Sequence, residues 1–335
     1  MVLKRYAAVF LFLLGIVAVV VEFNAVGLGQ LAPLLISAPP NIVALAFAAF
    51  ILSSVAWTLR WKVFVQRSGY NVPFASMYAN LFVGMAVNGV TPLAKFAGEP
   101  VRAYLLKREC GVPMRVGLAT VAAELSVDAL VSLTAMFVAV ATAAFVIGVE
   151  TSLLALMIAG LVAATVVIGV FVSLAAHTRF AHGSLKWLSS RSTNVRSRVH
   201  DLRTRIVKFQ KVFKESLSDP RALSIAVATT LAQRFFDMLR FALVLAAVGA
   251  NVGLPVIVVV LGVSLLLSTV PSTPGGLGLM EGGMIGALVL LGVPLHAAAA
   301  AVIIERLISY WIPLAAGLVL GSFYGASIVS QNKGI

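Results

Sequence analysis

Apolar residues run along this chain in long blocks separated by short polar connections. The runs 6–21, 41–59, 114–147, 151–176, 221–249 and 295–323 each approach or exceed the ~20 residues that an α-helix needs to cross a bilayer, and predict six full spans. Two further apolar stretches are broken in the middle. The first, 73–90 with 92–106, is interrupted at Asn88-Gly89-Val90-Thr91-Pro92. The second, 254–270 with 274–291, is interrupted at Pro271-Ser272-Thr273-Pro274-Gly275-Gly276-Leu277-Gly278. Proline and glycine at that density end a helix. Broken backbone at membrane depth survives only against protein or a water-filled cavity.

Basic residues in the connections orient the chain. Lys4 and Arg5 place the N-terminus inside, and 22–40 has no Lys or Arg and lies outside. The apolar run that follows Lys4-Arg5 lacks a small-residue cleavage site and predicts a retained first helix. Arg60, Lys62 and Arg67 bring the chain back inside, as do Lys107, Arg108 and Arg115 after the first broken pair. That pair therefore enters and leaves on one side, as a re-entrant hairpin. The connection 148–152 is outside, whereas 177–221 holds eleven Lys or Arg against three acids and is inside. The second broken pair starts and ends at the uncharged connections 249–255 and 291–294, outside, and Lys333 is inside. The expectation is an all-α polytopic protein of six spans and two oppositely oriented hairpins, with both termini cytoplasmic in a cell membrane; the alternative is ten spans, which conflicts with the loop charges only at the first broken pair.

A repeat underlies this symmetry. A shift of 182 residues lays Thr91-Pro92 on Thr273-Pro274 and Glu99 on Glu281; a shift of 181 lays Gly111-Val112-Pro113 on Gly292-Val293-Pro294 and Glu124 on Glu305. The chain reads as one transmembrane domain over 1–335, with repeat A about 1–147, repeat B about 151–328 and a basic cytoplasmic loop 177–220. The copies run oppositely through the membrane, a pattern that points to a transporter site near the midplane.

Composition narrows the functional classes. The chain is 61% hydrophobic and 11% charged, with mean hydropathy +1.04, and has no hydrophilic block large enough for a soluble catalytic domain. One cysteine, Cys110, and four histidines without ligand spacing give no metal site, and no cofactor is expected. The net charge of +13 points to anionic lipid, not nucleic acid. Nor is the glycine run a nucleotide loop, because no Lys-Ser or Lys-Thr follows it.

Charges inside the apolar runs carry the functional reading. Arg102, Arg234 and Arg306 are suited to bidentate binding of a lipid phosphate, with Asn88, Gly275 and Gly276 beside them at the hairpin tips. Helices that begin at those tips would turn their N–H groups to the same anion. Glu99, Glu124, Asp128, Asp237, Glu281 and Glu305 would balance the arginines, gate the path or carry protons. Within the basic loop, 191–214 alternates apolar and basic residues as an amphipathic helix does, which predicts contact with the anionic inner leaflet. A homo-oligomer is compatible with the sequence.

Asn88-x3-Pro92-x5-Gly98-Glu99-x2-Arg102, Glu124-x3-Asp128, Pro271-x2-Pro274-Gly275-Gly276-Leu277-Gly278-x2-Glu281 and Glu305-Arg306 resemble the lysylphosphatidylglycerol synthase transmembrane family of flippase-like proteins. The resemblance covers nearly the whole chain and implies movement of a phospholipid or lipid-linked substrate between leaflets. Members that are synthases carry an appended enzyme domain; residues 1–335 leave no hydrophilic block for one, and the synthase activity is therefore not expected. It also has Leu125 where the family usually has arginine, and Ala97 where it tends to have a glycine before Gly98. The alternative is a membrane-embedded or accessory component of a lipid glycosyl or aminoacyl transferase system. A further class is a non-transporting assembly subunit.

Overall fold

The computed structural model describes residues 17, 20–21, 28–91, 97–176, 193–270 and 272–332. Among the described residues the chain is helical, without strands. The helices are α1 (Leu28–Ser37), α2 (Pro40–Arg67), α3 (Phe74–Val90), α4 (Gly98–Cys110), α5 (Met114–Thr142), α6 (Thr151–Ala176), α7 (Thr193–Ser218), α8 (Pro220–Ala247), α9 (Leu254–Thr269), α10 (Leu279–Leu290), α11 (Leu295–Arg306) and α12 (Ile312–Asn332). A π-turn, Ala143–Ile147, extends α5, and another, Leu307–Trp311, joins α11 to α12.

Among the described residues four segments are long and apolar enough to cross a membrane: Pro40–Arg67, Met114–Ile147, Thr151–Ser173 and Leu295–Tyr324. They coincide with four of the six expected spans. The expected first span, 6–21, lies almost wholly outside the described residues. The remaining one, 221–249, is the 28-residue helix α8 but is not among these four. Arg234, Asp237 and Arg240 all lie within it, and they make the ion pairs described below.

Helix α1 lies in a stretch that the apolar pattern leaves as a connection. Its Leu28, Leu31, Leu34 and Leu35 recur at threes and fours. Leu31 is buried in the main core, and the helix packs on α11.

The core forms around α2 and α8, which pack along their lengths and run antiparallel. Ser53 of α2 meets Asp237 of α8, and Arg60, seven residues on, meets Thr230, seven residues back. Phe50, Phe82, Phe241, Leu245, Met284 and Leu288 fill one side of this pair. Helix α6 stands at the periphery, with Leu156, Val162, Val166 and Val170 turned outward. In water such a face would be costly; against acyl chains it is the expected surface.

The two broken stretches form antiparallel helix pairs, α3 with α4 and α9 with α10. The arms have 17, 13, 16 and 12 residues. At 1.5 Å per residue they reach about 18–25 Å, short of the ~30 Å hydrocarbon layer. Gly84 and Gly98 let α3 and α4 touch backbone to backbone, since a Cβ on Gly98 would fall on the Gly84 carbonyl. The second tip turns through Gly275, whose φ of 65° falls in the left-handed region that glycine tolerates. Pro92 and Pro271, the prolines expected at the breaks, lie outside the described residues.

The basic helix α7 packs on α5 and, more lightly, on α6 and α8. Phe213 is fully buried among Phe64, Ala119, Ala123 and Ala226, with Phe209 and Leu217 against them. The apolar face of this half of α7 is thus covered by the protein itself, and Lys208, Lys211 and Lys214 face outward.

Candidate functional site

The site begins at the first hairpin tip. Glu99 opens α4, and Arg102, one turn on, reaches it with Nη1 at 2.7 Å. The other terminal nitrogen of Arg102 donates to Glu124 at 2.8 Å. Helix α5 carries Glu124 at zero exposure, where it also accepts from Arg60 at 3.2 Å and from the Trp57 indole. Trp61 lies under the Arg102 guanidinium, 4.2 Å from ring centre to Cζ, and supports it by a cation–π contact.

Arg60 carries the line onward. It donates to Gln233 at 2.7 Å and Thr230 at 3.2 Å on α8, and stands 3.2 Å from Asp128. Asp128, one turn after Glu124, accepts from Arg234 at 2.7 Å, and Arg234 also donates to Ser132. Arg234 lies 3.5 Å from Asp237, which accepts from Ser53 and from Arg240. Arg240 ends the line in a bidentate bond to Glu305, through Nε and Nη2 at 2.7–3.1 Å.

The result is a ladder of alternating charge: Glu99, Arg102, Glu124, Arg60, Asp128, Arg234, Asp237, Arg240, Glu305. Its ends are buried and its middle is half-buried, with Arg234 and Asp128 about a quarter exposed. Arg60, Arg102 and Arg234 each keep an Nε–H without a partner among the described residues.

A separate knot closes the second tip. Arg306 donates from Nε to Glu281 at 2.5 Å and from Nη2 to the Gly275 carbonyl at 2.8 Å. Glu281 in turn accepts from the Gly278 amide and caps α10. The Arg306 guanidinium lies 4.4 Å from the Tyr310 ring centre. Tyr310 packs against Gly275 of this tip and donates to the Gly89 carbonyl near the other, at 3.1 Å.

The expected residues are thus brought into one region, but not in one group. Glu99, Arg102, Glu124, Asp128, Arg234, Asp237 and Glu305 share the ladder. Glu281, Arg306 and Gly275 share the knot, and Gly276 follows in the same turn. Asn88 sits at the first tip, where it accepts from the Gly98 amide and faces Glu99 at 3.5 Å. Every one of the three arginines is engaged by a carboxylate.

Arg60 is the residue that sequence reasoning placed wrongly. It counted there as a charge of a cytoplasmic connection, yet α2 continues to Arg67 and Arg60 is 1% exposed. The clue lay in the repeat, because Arg60 and Arg240 correspond at a shift of 180 and bind corresponding glutamates. Tyr310 was also missed, since an aromatic residue in an apolar helix carries no signal alone. Among the described residues no group of three His, Cys, Asp or Glu is placed to hold a metal.

The family profile described as "Lysylphosphatidylglycerol synthase TM region" matches residues 6–317. A UPF0104 membrane protein of Methanothermobacter thermautotrophicus is 28% identical over 335 residues, covering 97% of each chain. UPF0104 membrane proteins of Methanocaldococcus jannaschii and Pyrococcus horikoshii are 26% and 23% identical, over 92% and 95% of this chain and 91% and 96% of theirs. A profile that spans both hairpins, the ladder and the Glu281–Arg306 knot leaves one conclusion: the chain belongs to the lysylphosphatidylglycerol synthase transmembrane-region family of integral membrane proteins.

Proposed function

We propose that this protein moves an anionic or lipid-linked lipid between the leaflets of a cell membrane, along a polar path between two inverted repeats. In this reading α3–α4 and α9–α10 are re-entrant hairpins entering from opposite sides, and both termini face the cytoplasm. The observation that carries it is the ladder, which follows the packing line of α2 and α8, the two antiparallel helices that the repeat makes equivalent. Charges are costly in an apolar layer unless they serve a path or pair with one another. Here they pair with one another, so a lipid phosphate enters by exchanging places with a carboxylate on a guanidinium.

Arg234, the most exposed of the three expected ligands, takes the head group first. Arg102 and Arg306 take it as the tips part, helped by Asn88 and the Gly275-Gly276 turn, while the tails stay in lipid. The carboxylates Glu99, Glu281 and Asp128 then hold or release the arginines and so gate the path.

The test is leaflet translocation of a labelled anionic phospholipid in proteoliposomes. Glu281→Gln and Arg306→Gln are expected to lose most of the transport. Wild-type rates from well-folded variants would sink the site assignment. The family description names a synthase, so a transferase role is the second reading. Product formed from labelled donor, without net translocation, would decide for it.

A further inference from the structure

The ladder has five carboxylates and four guanidiniums, and Glu281 with Arg306 is balanced by itself. Charge left unpaired in an apolar interior is expensive, and a group in that position neutralises itself. We infer that the ladder binds one proton, and that Glu99 holds it. The use of that proton in transport rests on the proposed flippase activity; the binding site does not.

Elimination identifies the carboxylate. Glu305 is held by two nitrogens of Arg240. Glu124 is held by Arg102, Arg60 and Trp57, Asp128 by Arg60 and Arg234, and Asp237 by Arg234, Arg240 and Ser53. Among the described residues Glu99 has only Arg102 as a cation, and shares it with the fully buried Glu124. Its second oxygen faces the Asn88 amide at a long 3.5 Å.

The groups around Glu99 are few. Arg102 faces it from its own helix and Glu124 from α5, α3 contributes the non-titrating Asn88, and Arg60 of α2 acts through Glu124. Lys95 of the same tip lies outside the described residues. The N-terminal turn of α4 favours an ionised Glu99, but that dipole contribution is small beside a buried carboxylate that lacks a whole counter-charge. Glu99 is also the ladder's end, and it is 7% exposed.

The experiment is infrared difference spectroscopy of the full-length protein in lipid nanodiscs, titrated from acid to alkaline pH. The wild type is expected to show the C=O stretch of one protonated carboxylic acid, and Glu99→Gln to lose it. A band that persists in Glu99→Gln, or no titrating band in the wild type, overturns the inference. Should Glu99→Gln fail to fold, Glu99→Asp serves instead: a displaced band supports Glu99, and an undisplaced one refutes it. Translocation plays no part in this readout, so the proposed function and this site stand or fall separately.

Discussion

Arg60 on α2 and Arg240 on α8 stand 180 positions apart, and each closes a buried ion pair with a glutamate of the helix following a hairpin. The partners, Glu124 and Glu305, are themselves 181 apart. Breaking a buried pair on one side leaves a stranded charge, which typically costs about 3–5 kcal/mol. Glu305→Ala should destabilise the protein by roughly that amount, while Arg240→Met with Glu305→Leu should recover most of it. Glu124→Ala should cost no more than Glu305→Ala, because Glu99 still pairs with Arg102 and Asp128 with Arg60. Unfolding in mixed detergent micelles measures all three; a larger loss in Glu124→Ala than in Glu305→Ala would show that Glu99 and Asp128 cannot hold the two arginines alone.

The α3–α4 hairpin depends on a glycine contact. Gly98→Ala drives a methyl into the Gly84 backbone, which a flexible side chain cannot relieve. The expected loss is about 1–3 kcal/mol. Gly286→Ala on α10 meets nothing within 4 Å and should be neutral or stabilising by up to ~1 kcal/mol. Equal melting temperatures for the two variants would contradict the close approach.

Tyr310 holds both tips. Tyr310→Phe removes only the bond to Gly89, a loss of about 1 kcal/mol. Tyr310→Ala removes the ring as well. In a Cys110→Ser background, a thiol at Ser272→Cys should label faster with a water-soluble maleimide in Tyr310→Ala than in Tyr310→Phe. Identical labelling in both would mean that the ring does not close the second tip.

Helix α7 is fastened by Phe213. Phe213→Ala should cost about 3–5 kcal/mol and expose the basic helix to trypsin. Lys211→Ala, at a side chain 75% exposed, should stay within about 0.5 kcal/mol of wild type. Unchanged cleavage in Phe213→Ala would show that the helix is held elsewhere.

Much of this was legible in the residue pattern, and the misses have physical causes. Apolar runs mark spans because the bilayer demands length, so α2, α5, α6 and the α11–α12 run were visible. The hairpin breaks were visible because proline and glycine act locally. Arg60 was not, since a charge at the end of an apolar run reads as a loop until a partner is seen, and Glu124 lies 64 residues away. That Arg102 serves both Glu99 and Glu124 was equally hidden. The guanidinium beside Glu99 comes from the next turn of its own helix and reaches Glu124 on α5 as well. Periodicity revealed the apolar face of α7, but not that protein covers it at Phe209, Phe213 and Leu217.

Glu305 and Arg306 are neighbours in sequence, yet one ends the ladder and the other holds the second tip. A π-turn, which rotates the helix out of its usual register, begins at the next residue. One peptide bond therefore acts as a transmission between two electrostatic assemblies. In the transport reading proposed above, a phosphate that took Arg306 from Glu281 would shift the balance at Glu305, and a change along the ladder would alter phosphate affinity at the tip by the same factor. On that proposal, the reciprocity would let a row of static ion pairs report at one of its ends what is bound at the second tip.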